Sequence, residues 1–232
     1  MISKNNYFAY FITYVKYLYR VAFLKDVDYL GEWSVQFIKN SISKDNISKL
    51  KFIDIKNPKD GFYADPFVHT SNNKTICFVE EYCYSSKKAV ISAIELTGER
   101  YIELGRVLSE DFHMSFPYIF KDNGVIYMVP ETGSINEIRL YVCKDFPMKW
   151  EYHSSLLKNI SAADTMIYKK NGIYYLLTNT SSGSNSHNES LSVFYSRSFP
   201  SYNWSPLQKS PNPIKHGSDK SRNAGLFAID NE

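Results

Sequence analysis

Tyr63-Ala64-Asp65-Pro66-Phe67-Val68 recurs in outline as Ser115-Phe116-Pro117-Tyr118-Ile119-Phe120 and as Ala163-Asp164-Thr165-Met166-Ile167-Tyr168. Each stretch is a short polar lead running into an extended aromatic strand. A fourth, Arg222-Asn223-Ala224-Gly225-Leu226-Phe227, opens near the C-terminus. Taking Asp65, Phe116, Asp164 and Ala224 as equivalent gives spacings of 51, 48 and 60 residues. A period of about 40–50 residues is what four-stranded β-propeller blades produce.

The residues inside each repeat support four strands per unit. Asn72-Asn73, Asp122-Asn123-Gly124 and Asn171-Gly172 each sit between two strand-like runs, as hairpin loops that need positive φ require. After the first turn come Thr75–Val79, Ala89–Ile94 and Tyr101–Leu104, which complete one blade. The second and third units also match in their outer halves: Phe146-Pro147 with Trp150 parallels Phe199-Pro200 with Trp204. A Trp that recurs once per blade is expected to pack between neighbouring sheets. Trp33–Phe37 and Leu50–Ile55 read as strands that precede the first inner strand, and a propeller closes by giving such strands to its last blade. The expected fold is therefore all-β. It is an incomplete propeller over residues 33–232, with about three full blades and the start of a fourth, as in a fragment of a longer chain or a ring completed by a partner.

Composition narrows the function. The chain of 232 residues is 44% hydrophobic and 16% aromatic, which excludes a disordered chain and favours strands. A net charge of +3, from scattered basic residues, argues against a nucleic-acid surface. Cys77, Cys83 and Cys143 lack metal-ligand spacing and read as reduced thiols, so a cytoplasmic location is the default. No phosphate loop, nucleophile elbow or zinc motif appears, and neither a cofactor nor a metal is expected. Residues 1–32 read as a short amphipathic helical segment. Lys16 and Arg20 interrupt its apolar run, so it is expected to pack on a domain or partner, or to make weak membrane-surface contact through residues 1–25.

The motifs Phe62–Phe67, Phe78-Val79-Glu80-Glu81, His113–Pro117, Pro130-Glu131 and Ser221–Gly225 occur in an order that resembles a known family. It is the propeller domain at the N-terminus of glucosamine inositolphosphorylceramide transferases. A similar propeller accompanies formyltransferase-like and glycosyltransferase domains in bacterial polysaccharide clusters. A more distant similarity is to family-43 glycoside hydrolases, which implies five blades. It also implies a catalytic base at Asp65 and an acid-tuning carboxylate at Asp164. Where that family carries its general acid, this chain has Arg222-Asn223-Ala224, without a carboxylate.

The starts of successive inner strands converge at one mouth of a propeller, so Asp65, His113, Ser115, Asp164 and Arg222 are candidate site residues. Glu80 and Glu131, at the ends of second strands, return to the same mouth. For catalysis the candidates are Asp65, Asp164 and Glu131, with Glu80 as an alternative acid. For gripping sugar hydroxyls they are Glu80, His113, Ser115 and Arg222. Asp65 and Asp164 also suit a purely structural role, capping turns and accepting backbone N–H groups. Three functions stay open: a carbohydrate-recognising module auxiliary to a glycosyl- or formyl-transferase, a glycoside hydrolase-like enzyme using Asp65 as base, and a structural interaction module.

Overall fold

In the computed structural model of the chain, the described residues are 33–38, 51–181, 187–208, 212–215 and 223. The expected helical segment 1–32 and Arg222 lie outside them. The chain divides between Trp33 and Ser34, and every strand among the described residues belongs to the unit that begins at Ser34.

Each blade is an antiparallel meander built from the predicted repeat. Blade 1 comprises β3 (Gly61–Ser71), β4 (Lys74–Cys83), β5 (Lys88–Thr97) and β6 (Arg100–Leu108). Blade 2 comprises β7 (Ser115–Asp122), β8 (Val125–Glu131), β9 (Glu137–Asp145) and β10 (Lys149–Lys158). Blade 3 comprises β11 (Ser161–Lys170), β12 (Ile173–Ser181), β13 (Ser190–Ser196) and β14 (Ser205–Pro206). The short β15 (Ile214–Lys215) also pairs with β13. A separate two-stranded sheet joins β1 (Val35–Phe37) to β2 (Ile53–Ile55). Among the described residues the helical content is one 3-10 turn, Gly133–Ile135. The three inner hairpins close on paired positive-φ residues, Asn72-Asn73, Asn123-Gly124 and Asn171-Gly172, as the turn chemistry requires.

Alternation along the strands sets how blades stack. Ile76 and Phe78 of β4 meet Ile126 and Met128 of β8 in one buried core. The opposite face of β8, through Tyr127 and Val129, meets Ile167, Tyr174 and Leu176 of blade 3 in a second core. The other face of β4, through Cys77 and Val79, is covered by Val35 and Ile55 of the two-stranded sheet. The recurring tryptophans pack between sheets. Trp150 stands edge-on to Phe78 at 5.7 Å in the first core, and Trp204 occupies the corresponding place in the second. Each indole N–H donates to a carbonyl three residues upstream, Pro147 O at 2.7 Å and Ser201 O at 3.1 Å.

One irregularity repeats. The register of each inner hairpin slips between Ala64 and Phe67, between Ser115 and Tyr118, and between Ala163 and Met166. At each slip one residue takes a left-handed conformation: Asp65 (φ 47°), Phe116 (φ 45°) and Asp164 (φ 51°). These are the three residues that the sequence repeat makes equivalent. Asp tolerates this region, whereas a bulky Phe is strained there by about 1–3 kcal/mol. Bulges of this kind re-aim side chains and backbone N–H groups out of the ladder.

Candidate functional site

The bulges bring the candidate residues to one end of the blades. Freed from the ladder, the Phe116 N–H donates to Asp65 Oδ2 at 3.2 Å, across the boundary between blades 1 and 2. The Asp164 N–H donates to Glu131 Oε2 at 3.3 Å, across the boundary between blades 2 and 3. The Asn223 N–H donates to Asn179 Oδ1 at 2.6 Å, and its Nδ2 donates to Asp164 O at 2.8 Å. By this role Asn223, not Ala224, is the fourth equivalent of the series, a correction of one residue.

Two of these side-chain acceptors, Glu131 and Asn179, and Glu80 beside the third, Asp65, share one register position. Glu80 pairs with Ala64, Glu131 with Ser115 and Asn179 with Ala163. All three occupy one position of the second strand, on the face turned to the following blade. Sequence reasoning named the two glutamates and missed Asn179 and Asn223. A signal was available, because Glu80, Glu131 and Asn179 each stand fifteen residues after their bulge residue.

Glu80 is the centre of the electrostatics. It is 8% exposed, and burial pushes its carboxyl up to about 8, helped by the charges of Asp65 and Glu131 and by a hydrogen bond with Asp65. Glu80 thus favours its protonated form at neutral pH, hydrogen-bonded with Asp65. His113 lies in the loop before β7. Its Nδ1 accepts the Ala89 N–H at 3.2 Å, so the neutral ring carries its hydrogen on Nε2, 3.5 Å from Glu80 Oε1. Burial lowers the His113 pKa and so favours the neutral ring, an effect that Asp65 partly opposes.

The candidates therefore divide. His113, Glu80 and Asp65 form one connected group; the charge of Glu131 acts on Glu80, and Glu131 also accepts the backbone N–H of Asp164, itself 3% exposed. Ser115 is buried in the ladder opposite Glu131. Arg222 lies outside the described residues. On the other face of β4, Glu81 Oε1 receives Nε and Nη2 of Arg106 at 3.1 and 2.8 Å, and Glu81 Oε2 receives the Ser92 hydroxyl. Among the described residues no group of three or more His, Cys, Asp and Glu side chains is placed to hold a metal ion. A cleft of about 420 Å³ at the opposite, hairpin end is lined by Asn72, Lys121 and Phe146 and contains none of these residues.

The family model for the N-terminal region of glucosamine inositolphosphorylceramide transferase 1 matches residues 26–232. The chain belongs to this family. Among curated proteins, glucosamine inositolphosphorylceramide transferase 1 of Arabidopsis thaliana is 34% identical over 169 residues, covering 71% of this chain and 22% of that protein. Its namesake in Oryza sativa subsp. japonica is 32% identical over 175 residues, covering 72% and 23%. The chain thus spans about a fifth of the length of the curated relatives it matches. Among solved structures, the family-32 β-fructofuranosidase of Bombyx mori aligns with a TM-score of 0.59 at 12% identity, covering 77% of this chain and 43% of that one. An α-L-arabinofuranosidase from Lactobacillus brevis aligns with a TM-score of 0.55 at 11% identity, covering 71% and 62%. At such identities the likeness is one of fold, and it makes this transferase-family chain a propeller-like all-β protein.

Proposed function

We propose that the chain is a carbohydrate-recognising propeller module that serves glycan assembly beside a glycosyl- or formyl-transferase, on the same polypeptide or on a partner. The reading is carried by the connected group His113, Glu80 and Asp65, with Glu131 and Asp164 beyond it, at one end of three successive blades. Sugar hydroxyls both donate and accept, and this group offers both: an imidazole N–H, a protonated carboxyl and carboxylate oxygens. The name of the curated relatives supports a sugar as the ligand class. Closure of the blades into a five-membered ring, with β1 and β2 lent to the last blade, belongs to the same reading.

Hydrolysis is the second reading, and the proton retained by Glu80 is what favours it. The spacing of Asp65 and Glu80 opposes that pair as base and acid. An inverting pair of carboxyls stands about 6.5–9.5 Å apart and a retaining pair about 5–5.5 Å. Asp65 and Glu80 share a hydrogen bond and are closer than either.

The test is calorimetric binding of the full chain to a glycan panel, with reducing-sugar release assayed on the same glycans. At least one glycan binds, none is cleaved, and Asp65→Asn weakens binding by about tenfold or more, the worth of a charge-assisted hydrogen bond. Sugar release that Asp65→Asn abolishes with binding intact supports the enzyme instead.

A further inference from the structure

Beside the carboxyl group lies a set of aromatic rings that neither the fold nor the site has used. Phe62 and Tyr82 are register partners across β3 and β4, with rings stacked at 4.9 Å and 19°. Tyr84, just past the end of β4, lies 5.9 Å from both rings. The His113 ring stands 6.2 Å from Tyr82, on the route to Glu80. All four are half-buried. Phe62, Tyr82 and Tyr84 belong to none of the three apolar cores, so the packing of the blades does not account for them.

Their order follows from strand geometry. Side chains two apart on a strand share a face, so Phe78, Glu80 and Tyr82 lie in line. Phe78 is sealed in the core, Glu80 carries the carboxyl, and Tyr82 leads outward to Tyr84. The result is an aromatic surface running to a group of hydroxyl-binding side chains. Aromatic faces carry negative quadrupole potential and attract weakly positive C–H groups presented as a flat array. A pyranose in a gluco-configured β-glycoside has such an array: axial C–H groups on its faces, with hydroxyls around the rim. An acyclic polyol has the same hydroxyls and no face.

We propose that Phe62, Tyr82 and Tyr84 form a shelf that receives the C–H face of a pyranose ring and delivers its rim hydroxyls to Glu80 and Asp65. This selects ring sugars with an axial C–H face over other polyols. The proposal rests on the carbohydrate reading above and names its ligand class.

Saturation-transfer NMR on the full chain tests it, with methyl β-D-glucopyranoside as probe and sorbitol as control. Saturation should concentrate on the axial protons of one sugar face, and sorbitol should receive little. Tyr82→Ala and Tyr84→Ala should each weaken the glucoside by about five- to tenfold. Tyr82→Phe and Tyr84→Phe, which keep the ring, should bind as the parent does. Tyr84 lies past the end of β4, so its alanine variant keeps the backbone bond to Asp60, and a circular-dichroism spectrum matching the parent lets its change be read as binding. Equal binding of sorbitol, or alanine variants that bind any panel glycan as tightly as the parent, overturns the shelf. If Asp65→Asn still weakens that binding, the carbohydrate reading survives the loss. A parent chain that binds neither the glucoside nor any panel glycan overturns both.

Discussion

Glu80 holds its proton because it is buried beside two other carboxyls, and that has a consequence for stability. In the unfolded chain the side chain ionises near its ordinary value of 4.5, and in the fold only near about 8. Between those values the folded state binds a proton that the unfolded state has released, so this group's contribution falls as pH rises from about 4.5 to about 8 and is level above that. Glu80→Gln keeps the shape and can still donate to Asp65, but never ionises. The variant should match the parent near pH 5 and exceed it at pH 8.5 by on the order of 3 kcal/mol, read from denaturant midpoints at the two pH values. A parent-minus-variant difference that does not change with pH would show that Glu80 titrates normally. Asp65 and Asp164 stood out in the sequence as polar residues repeated at one place in an aromatic strand. That Glu80 returns to the mouth beside Asp65 was legible, but their direct hydrogen bond was not, because it depends on a register that slips at the bulge.

At the scale of strands, the bulge is the device that turns a repeat into a site. It releases the N–H groups of Phe116 and Asp164 from the ladder, and each is taken by a carboxylate of the preceding blade. Strand number, turns and tryptophans were readable because they follow from local chemistry: Asn-Gly turns, alternation, and a bulky ring once per blade. The cross-blade bonds were not, since each joins residues from about 30 to 50 positions apart. Glu131→Ala should expose the Asp164 amide to fast hydrogen exchange while its β11 neighbours Met166 and Ile167, which pair with β12, keep their protection. Unchanged protection at Asp164 would mean that another group holds it. Gly61 tests how closely the first hairpin is drawn together. A Cβ there would lie 1.8 Å from the Tyr82 carbonyl oxygen, so β3 and β4 must part to admit it. Gly61→Ala should cost about 1–3 kcal/mol in unfolding free energy, and a neutral result would show that the strand ends separate freely.

Over the whole molecule, blade 2 is the shared member. One face of β8 completes the core with blade 1 and the other completes the core with blade 3, so neither core survives the loss of that sheet. Blades stacked in this way contact chiefly their neighbours, which leaves two outcomes open in principle: stepwise unfolding from an end, or one cooperative transition. The buried interfaces favour the second, because releasing blade 3 alone would expose Val129, Leu140 and Leu176, all 0% exposed. Two tryptophans report on the two cores separately, Trp150 on the first and Trp204 on the second, while Trp33 is 61% exposed and responds little. Replacing Trp204 by Phe isolates the first signal, and replacing Trp150 by Phe isolates the second. Leu140→Ala, placed in the second core only, should cost about 2–5 kcal/mol. In guanidinium titrations the Leu140→Ala change should lower the midpoint seen by Trp150 as much as that seen by Trp204. A Trp150 midpoint that stays in place while the Trp204 midpoint falls would show that the blades unfold one at a time, with blade 2 failing to couple them.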